Sequence, residues 1–345
     1  MKEERMEKNK LLNTPIEHID IKKINTTELI EAMAHMSFSA RATAQAAYIL
    51  EKMLTDPHCG IILTIAGSSP AAGCMQIYID MVRSKMADVV VATGATIVDM
   101  DFFEALGFKH YRGTPDANDK MLRDNYIDRI YDTYIDEVEL QECDRTIKEI
   151  AAALPARAYS SREFIAQMGK YLTEKSKKSD SLVQACYEMD VPIFCPAFSD
   201  SSAGFGLVLH QAENKEHVSI DSVKDFHELT QVKIKANKTG LFMVGGGVPK
   251  NFAQDTVICA EVLGKQVPMH EYAVQITVAD VRDGACSSST LKEASSWGKV
   301  DTVCEQMVYA EATTVLPLII SYVYHKESWK KREPRRFSKL FKNTT

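Results

Sequence analysis

None of the eight cysteines stands in a Cys-x-x-Cys pair, and none falls in a Cys/His cluster with zinc-ligand spacing. A thioredoxin-type dithiol and a structural zinc module are thereby excluded, and no metal site is expected. Cys195, Cys259 and Cys286 sit in apolar or small-residue runs, the setting of buried free thiols, which fits a reducing, cytoplasmic compartment. The longest apolar run, residues 315–323, is too short to cross a bilayer and contains Pro317. Residues 1–10 are charged and lack an apolar stretch, so no signal peptide is expected there. With 41 Lys+Arg against 47 Asp+Glu, a net charge of −6, there is no basic excess for a nucleic-acid partner. Positive charge gathers instead at residues 325–345, which read as a solvated, poorly ordered end. There is no internal repeat, no low-complexity linker and no strict Gly-x-Gly-x-x-Gly fingerprint.

What the chain does have is 345 residues, 45% of them apolar, enough for one large core. Apolar residues at three- and four-residue steps predict helix over residues 27–54. Continuous apolar runs at residues 60–66, 87–92, 191–198, 240–244 and 272–279 predict strands covered on both faces. Helices are expected between them at residues 71–85, 161–175, 180–188, 205–211, 221–236 and 252–263, with a last apolar one at 309–324. Ser69 followed by Pro70 reads as a helix N-cap and first helical position. The charged, Tyr-rich stretch 111–154 reads as one or two exposed helices on an edge. This alternation predicts an α/β fold, a single doubly wound Rossmann-like domain with a mostly parallel sheet. An arm at residues 1–26 and a basic tail at 326–345 flank a domain spanning 27–325.

Small or acidic residues follow five of these segments, at Gly67, Thr93, Asp200, Gly245 and Gly284. In a parallel sheet all five turns lie on the carboxyl edge, where open α/β sheets hold ligands. Asp200 and Glu311 are candidates for ribose or amine contacts, or for helix caps. One stretch stands out: Gly284 to Lys299, reading GACSSSTLKEASSWGK. A turn of Gly, Ala and Ser lets backbone amides approach a polar ligand, and a lysine beside a tryptophan is the setting in which an amine serves imine chemistry.

The run Glu293-Ala294-Ser295-Ser296-Trp297-Gly298-Lys299, with PAFSDSS at 196–202 and GGGVPKN at 245–251, resembles the deoxyhypusine synthase family over roughly residues 27–324. That resemblance implies NAD as cofactor, polyamine substrates and a 4-aminobutyl transfer through a lysine imine. It places Ser68, Ser69, Thr93, Gly94, Asp200, Ser202, Ala279, Gly284, Ala285, Glu311 and Ala312 along NAD. It gives Glu293, Trp297 and Asn251 to the amine substrate, and makes Lys299 the nucleophile. With no basic residue in the turns near Thr93 or Asp200, NAD is expected over NADP. The resemblance also implies a homo-oligomer, a tetramer built from dimers.

Three positions depart from the family pattern. Asn251 stands for a histidine, and Phe205 and Cys286 stand for substrate-binding aspartates. Fewer anions in the amine slot point to a small-amine acceptor, as in a homospermidine synthase. The alternatives are a deoxyhypusine synthase acting on a lysine of a translation factor, and a non-catalytic NAD-binding scaffold.

Overall fold

The computed structural model describes residues 8–178 and 180–342, so most of the charged N-terminal segment and the last three residues of the tail lie outside it. Six strands form one sheet: β1 (Gly60–Ile65), β2 (Val89–Ala92), β3 (Ile193–Phe194), β4 (Thr239–Val244), β5 (Tyr272–Thr277) and β6 (Glu305–Tyr309). Every pairing is parallel, and the spatial order is β3-β2-β1-β4-β5-β6. The direction of winding therefore reverses between β1 and β4, and that crevice is the ligand position of doubly wound sheets. β1 and β4 pair from Gly60 opposite Thr239 to Ile65 opposite Val244, and both are buried along their whole length.

Eight helices cover the sheet or carry the turns discussed below. They are α1 (Phe38–Thr55), α2 (Glu137–Ala152), α3 (Ser202–Glu213), α4 (Ser222–Ala236), α5 (Gly247–Gln254), α6 (Thr256–Val262), α7 (Leu291–Ser296) and α8 (Ala312–His325). The two-residue period of the strands divides the core between two faces. Ile61, Leu63 and Ile65 pack with Leu50 of α1 and Leu316 and Ile320 of α8. Ile62, Leu241 and Met243 face the other way, with Leu229 of α4, Ala253 of α5 and Leu291 of α7. Pro317 lies inside α8, where an internal proline costs about 3 kcal/mol. Val315, Leu316, Ile319, Ile320 and Val323 are all buried on that helix. Each such side chain stabilises by roughly 1.5–3 kcal/mol, so burial outweighs the break.

The structure corrects several sequence expectations. The helix expected over residues 27–54 is two, Thr27–Met33 and α1, separated by a turn. Ser69 does not cap: its own backbone is helical, and its hydroxyl pairs with the buried Tyr78 hydroxyl at 2.7 Å. The stretch at 111–154 is not helical throughout. It contributes a small antiparallel sheet of His110–Arg112, Ile127–Ile130 and Thr133–Asp136 before α2 begins. A tight hairpin turn at Tyr131 lets Ile127, Tyr134 and Ile135 bury. β6 was not anticipated. The C-terminal stretch is packed rather than solvated: Phe337 is buried, Trp329 stacks on Tyr324, and Arg332 is buried against Asp88.

Candidate active site

The turn after β4 leads directly into α5. A Cβ on Gly246 would lie 2.5 Å from the Ser287 backbone, so a glycine is required for this turn and the 284–290 loop to close on each other. One turn into the helix, Lys250 is fully buried. Its Nζ donates to the Cys286 carbonyl at 2.9 Å, the Ser289 carbonyl at 2.5 Å and the Ser289 hydroxyl at 2.8 Å. None of these partners is anionic. Burial pushes the amine down to about 8, since the charged form loses its hydration without gaining a counter-ion. Lys250 thus fastens the Gly- and Ser-rich loop to α5.

The loop enters α7, capped by Thr290, whose hydroxyl accepts from the Glu293 amide at 3.0 Å. The helix ends at Trp297, and the chain turns at Gly298. The Lys299 amide donates to the Ala294 carbonyl at 3.1 Å. Its carbonyl accepts from the His270 amide at 2.9 Å, and the Asp301 amide returns to the His270 carbonyl at 2.9 Å. The backbone on both sides of Lys299 is therefore fixed to the start of β5.

From there the side chain reaches into a cleft of about 700 Å³. Nζ lies 2.5 Å from Asp255 Oδ1 and donates to Asn251 Oδ1 at 3.2 Å. Asn251 Nδ2 in turn donates to Asp255 Oδ2 at 2.8 Å. Asn251 and Asp255 are four residues apart across the junction of α5 and α6, so their side chains share a face. The Trp297 ring stands 5.3 Å from Nζ, within cation–π range. Glu293, Gly284, Ala285 and Cys286 line the same cleft. Sequence reasoning missed Asp255, which lies on the helix expected at 252–263 with nothing nearby in sequence to tie it to Lys299.

A buried polar chain lies behind this site. Lys233 Nζ donates to Thr239 Oγ1 at 2.7 Å, and the Thr239 hydroxyl pairs with His270 Nδ1 at 2.8 Å. His270 Nε2 is 3.2 Å from the Ala253 carbonyl on α5. That order of donors places the imidazole proton on Nε2, and burial keeps the ring neutral by holding it well below its usual range. Burial likewise lowers Lys233 to about 7. His270 thus joins the lysine's backbone to the helix carrying Asn251.

The remaining expected residues stand along the carboxyl edge, outside the lysine cleft. Ser68 and Ser69 follow β1, and Thr93 and Gly94 follow β2, where Thr93 Oγ1 accepts from the Thr96 amide at 3.2 Å. Asp200 and Ser202 follow β3. Asp200 is exposed and caps nothing, because Ser201 is the cap of α3. The Ser202 amide donates to Asp99 at 2.8 Å. Ala279 follows β5. Glu311 caps α8 through the Thr313 amide at 2.9 Å, and Ala312 opens that helix. Phe205 is 65% exposed and does not line the lysine cleft, whereas Cys286 does.

An all-parallel doubly wound sheet with small and polar turns along its carboxyl edge defines an α/β protein of the kind that binds its ligands beyond the strand ends. Residues 28–323 match the family described as deoxyhypusine synthase. A deoxyhypusine synthase-like protein of Coxiella burnetii is 65% identical over 338 residues, covering 97% of this chain and 96% of the relative. One from Caulobacter vibrioides is 63% identical, covering 97% and 93%. The crystal structure of an Entamoeba histolytica protein assigned to the deoxyhypusine synthases shares the fold. Its TM-score is 0.61 at 20% identity, over 92% of this chain and 99% of that one. The chain belongs to the deoxyhypusine synthase family, and the family supports an aminobutyl transferase.

Proposed function

We propose that this chain is an NAD-dependent transferase that moves a 4-aminobutyl group from a polyamine, through an imine on Lys299, to a small amine in the manner of a homospermidine synthase. The observation that carries this reading is the Lys299 amine, 12% exposed, between the Trp297 ring and the Asp255–Asn251 pair. That environment suits an amine that must be oriented, partly shielded from water, and joined to a carbon brought by a cationic substrate.

The carboxyl-edge turns fit a dinucleotide. Gly67 has positive φ with no atom within 4 Å of where a Cβ would be, leaving bare backbone beside the β1–β4 crevice. Ser68, Thr93, Gly94, Asp200 and Ala279 are small or polar, and no basic side chain among them would take a 2′-phosphate. Bound there, NAD would supply the hydride acceptor and return the hydride to product. The chain's own residues do the rest. Trp297 and Glu293 hold the amine, Asn251 orients it, and Lys299 forms the covalent bond.

Substrate choice follows from the anions. Two carboxylates, Asp255 and Glu293, line the lysine cleft among the described residues, and Cys286 and Asn251 add no carboxylate to it. A charge-assisted hydrogen bond is about twice as strong as a neutral one. A slot with two anions holds a short diamine fully and leaves one ammonium of a triamine without a carboxylate. Exposed Phe205, Val248 and Val278 follow the carboxyl ends of β3, β4 and β5, and exposed Trp297 lines the lysine cleft, which favours a homo-oligomer whose subunits cover one another's sites. Incubation with NAD and a panel of di- and triamines, read by mass spectrometry of the products, tests the reading. Putrescine is expected to serve as donor or acceptor at least as well as spermidine. Faster transfer from spermidine to a translation-factor lysine than to any small amine would overturn it.

A further inference from the structure

We propose that Asp255 is the ammonium site of the cleft, and that its resting pair with Lys299 is a lock opened when an incoming amine takes the lysine's place on the carboxylate. This rests on the reading of Lys299 as the imine-forming residue. Both Asp255 oxygens are engaged, Oδ1 by Lys299 Nζ at 2.5 Å and Oδ2 by Asn251 Nδ2 at 2.8 Å. Nζ also donates to Asn251 Oδ1, which closes the triangle. An amine held in this way is an ammonium, and it has no lone pair with which to attack carbon. The pair must open before any bond forms.

The order of opening follows from exposure. The Asp255 side chain is 29% exposed and the Lys299 side chain 12%, so a cation entering the cleft meets the carboxylate first. The Trp297 ring face lies beside the same spot and favours a second cation there. Other groups do not compete. Glu293 of α7, Cys259 of α6 and Cys286 of the loop line the cleft, and Lys250 lies behind the loop, yet none of them bonds to Nζ among the described residues. Once its counter-ion is taken, Nζ is no longer held on Asp255 and is free to turn toward a carbon brought into the cleft.

The chemistry balances. Nζ begins with three protons and ends in the iminium with one. In exchange with a substrate imine, the departing nitrogen gains two protons and leaves as an amine. With an aldehyde, the two protons leave with the oxygen as water. No oxidant is needed for the aldehyde reaction, so it isolates the lock from the cofactor.

The test uses butanal and cyanoborohydride with the full chain at pH 7.5, and the adduct on the Lys299 peptide is quantified by mass spectrometry. Dimethylpropylammonium, which cannot itself form an imine, is the amine probe, against sodium chloride at equal ionic strength. The lock predicts saturable acceleration of adduct formation, on the order of 5–10-fold, the range set by a partly exposed charge-assisted pair. Asp255→Asn is expected to react at the accelerated rate without the probe and to ignore it, and Asp255→Glu to restore the response. A wild-type rate unmoved by the probe, or equal acceleration in Asp255→Asn, overturns the lock while leaving Lys299 as the reactive group. Absence of any adduct on Lys299 under all conditions overturns the imine reading itself.

Discussion

Arg332 lies in a stretch whose composition reads as solvent-loving, yet its side chain is 5% exposed and that of its partner Asp88 is 3% exposed. Nη1 donates to the Lys85 carbonyl at 2.7 Å and Asp88 Oδ1 at 2.9 Å. Nη2 donates to the Cys59 carbonyl at 2.8 Å and to Asp88 Oδ2. Asp88 Oδ2 also accepts from the Ile61 amide at 2.8 Å, at the core of β1. Arg332→Ala would leave a buried carboxylate with a single donor and two carbonyls without their partner. Breaking a buried pair from one side costs about 3–5 kcal/mol. At 345 residues the unfolding entropy near 60 °C is about 0.7 kcal/mol/K, so the Tm is expected to fall by about 4–7 °C. Scanning calorimetry of wild type and variant reads this directly. Pairing Arg332→Met with Asp88→Asn should recover part of the loss by removing the orphaned charge. A Tm within about 1 °C of wild type for Arg332→Ala would refute the argument and return the C-terminal stretch to a passive role.

Two further perturbations separate chemistry from scaffold. Lys299→Arg keeps the charge facing Asp255 but cannot form an imine, so transfer should fall by about three decades or more with NAD binding intact, checked by product assay and calorimetric titration. Borohydride trapping during turnover should label Lys299 in wild type only. Lys250→Met bears on pH: the folded state holds this amine at about 8, against 10.5 for the free group. Between those values the unfolded chain binds the extra proton, so wild-type stability gains from this residue as pH rises from about 8 to about 10.5. The methionine variant should lose that gain in urea melts across the same window, and a slope equal to wild type would contradict it.

The parts of the fold legible in the sequence are those whose burial is uniform. β1 and β4 are covered on both faces, so Ile61 to Ile65, broken only by Thr64, and Leu241 to Val244 read as apolar runs. β6 is an edge strand, half-buried from Glu305 to Met307, and its mixed EQMVY carries no such signal. β3 shrinks to two residues because Pro192 and Pro196 flank it. The Tyr-rich stretch misled because Tyr134 buries its ring in a small sheet while Tyr126 and Tyr131 sit at exposed bends. At the site, Trp297, Glu293 and Lys299 were reachable because they lie within one short run. Asp255 was not, since nothing in NFAQD states that a lysine 44 positions later folds back onto it.

The position of β1 in the sheet also has a consequence for synthesis. Its neighbour β2 follows within about thirty residues, but the partner on its other side, β4, begins opposite Gly60 only at Thr239. At 5–20 residues per second, roughly 10–35 s separate the two on the ribosome. Throughout that interval the edge of β1 that β4 will cover stays bare, and until Ile193 is made the outer edge of β2 is bare as well. An open edge of this kind is the ordinary template for pairing between chains. The strand order that makes the crevice therefore also sets the period during which the unfinished polypeptide most needs a holding chaperone.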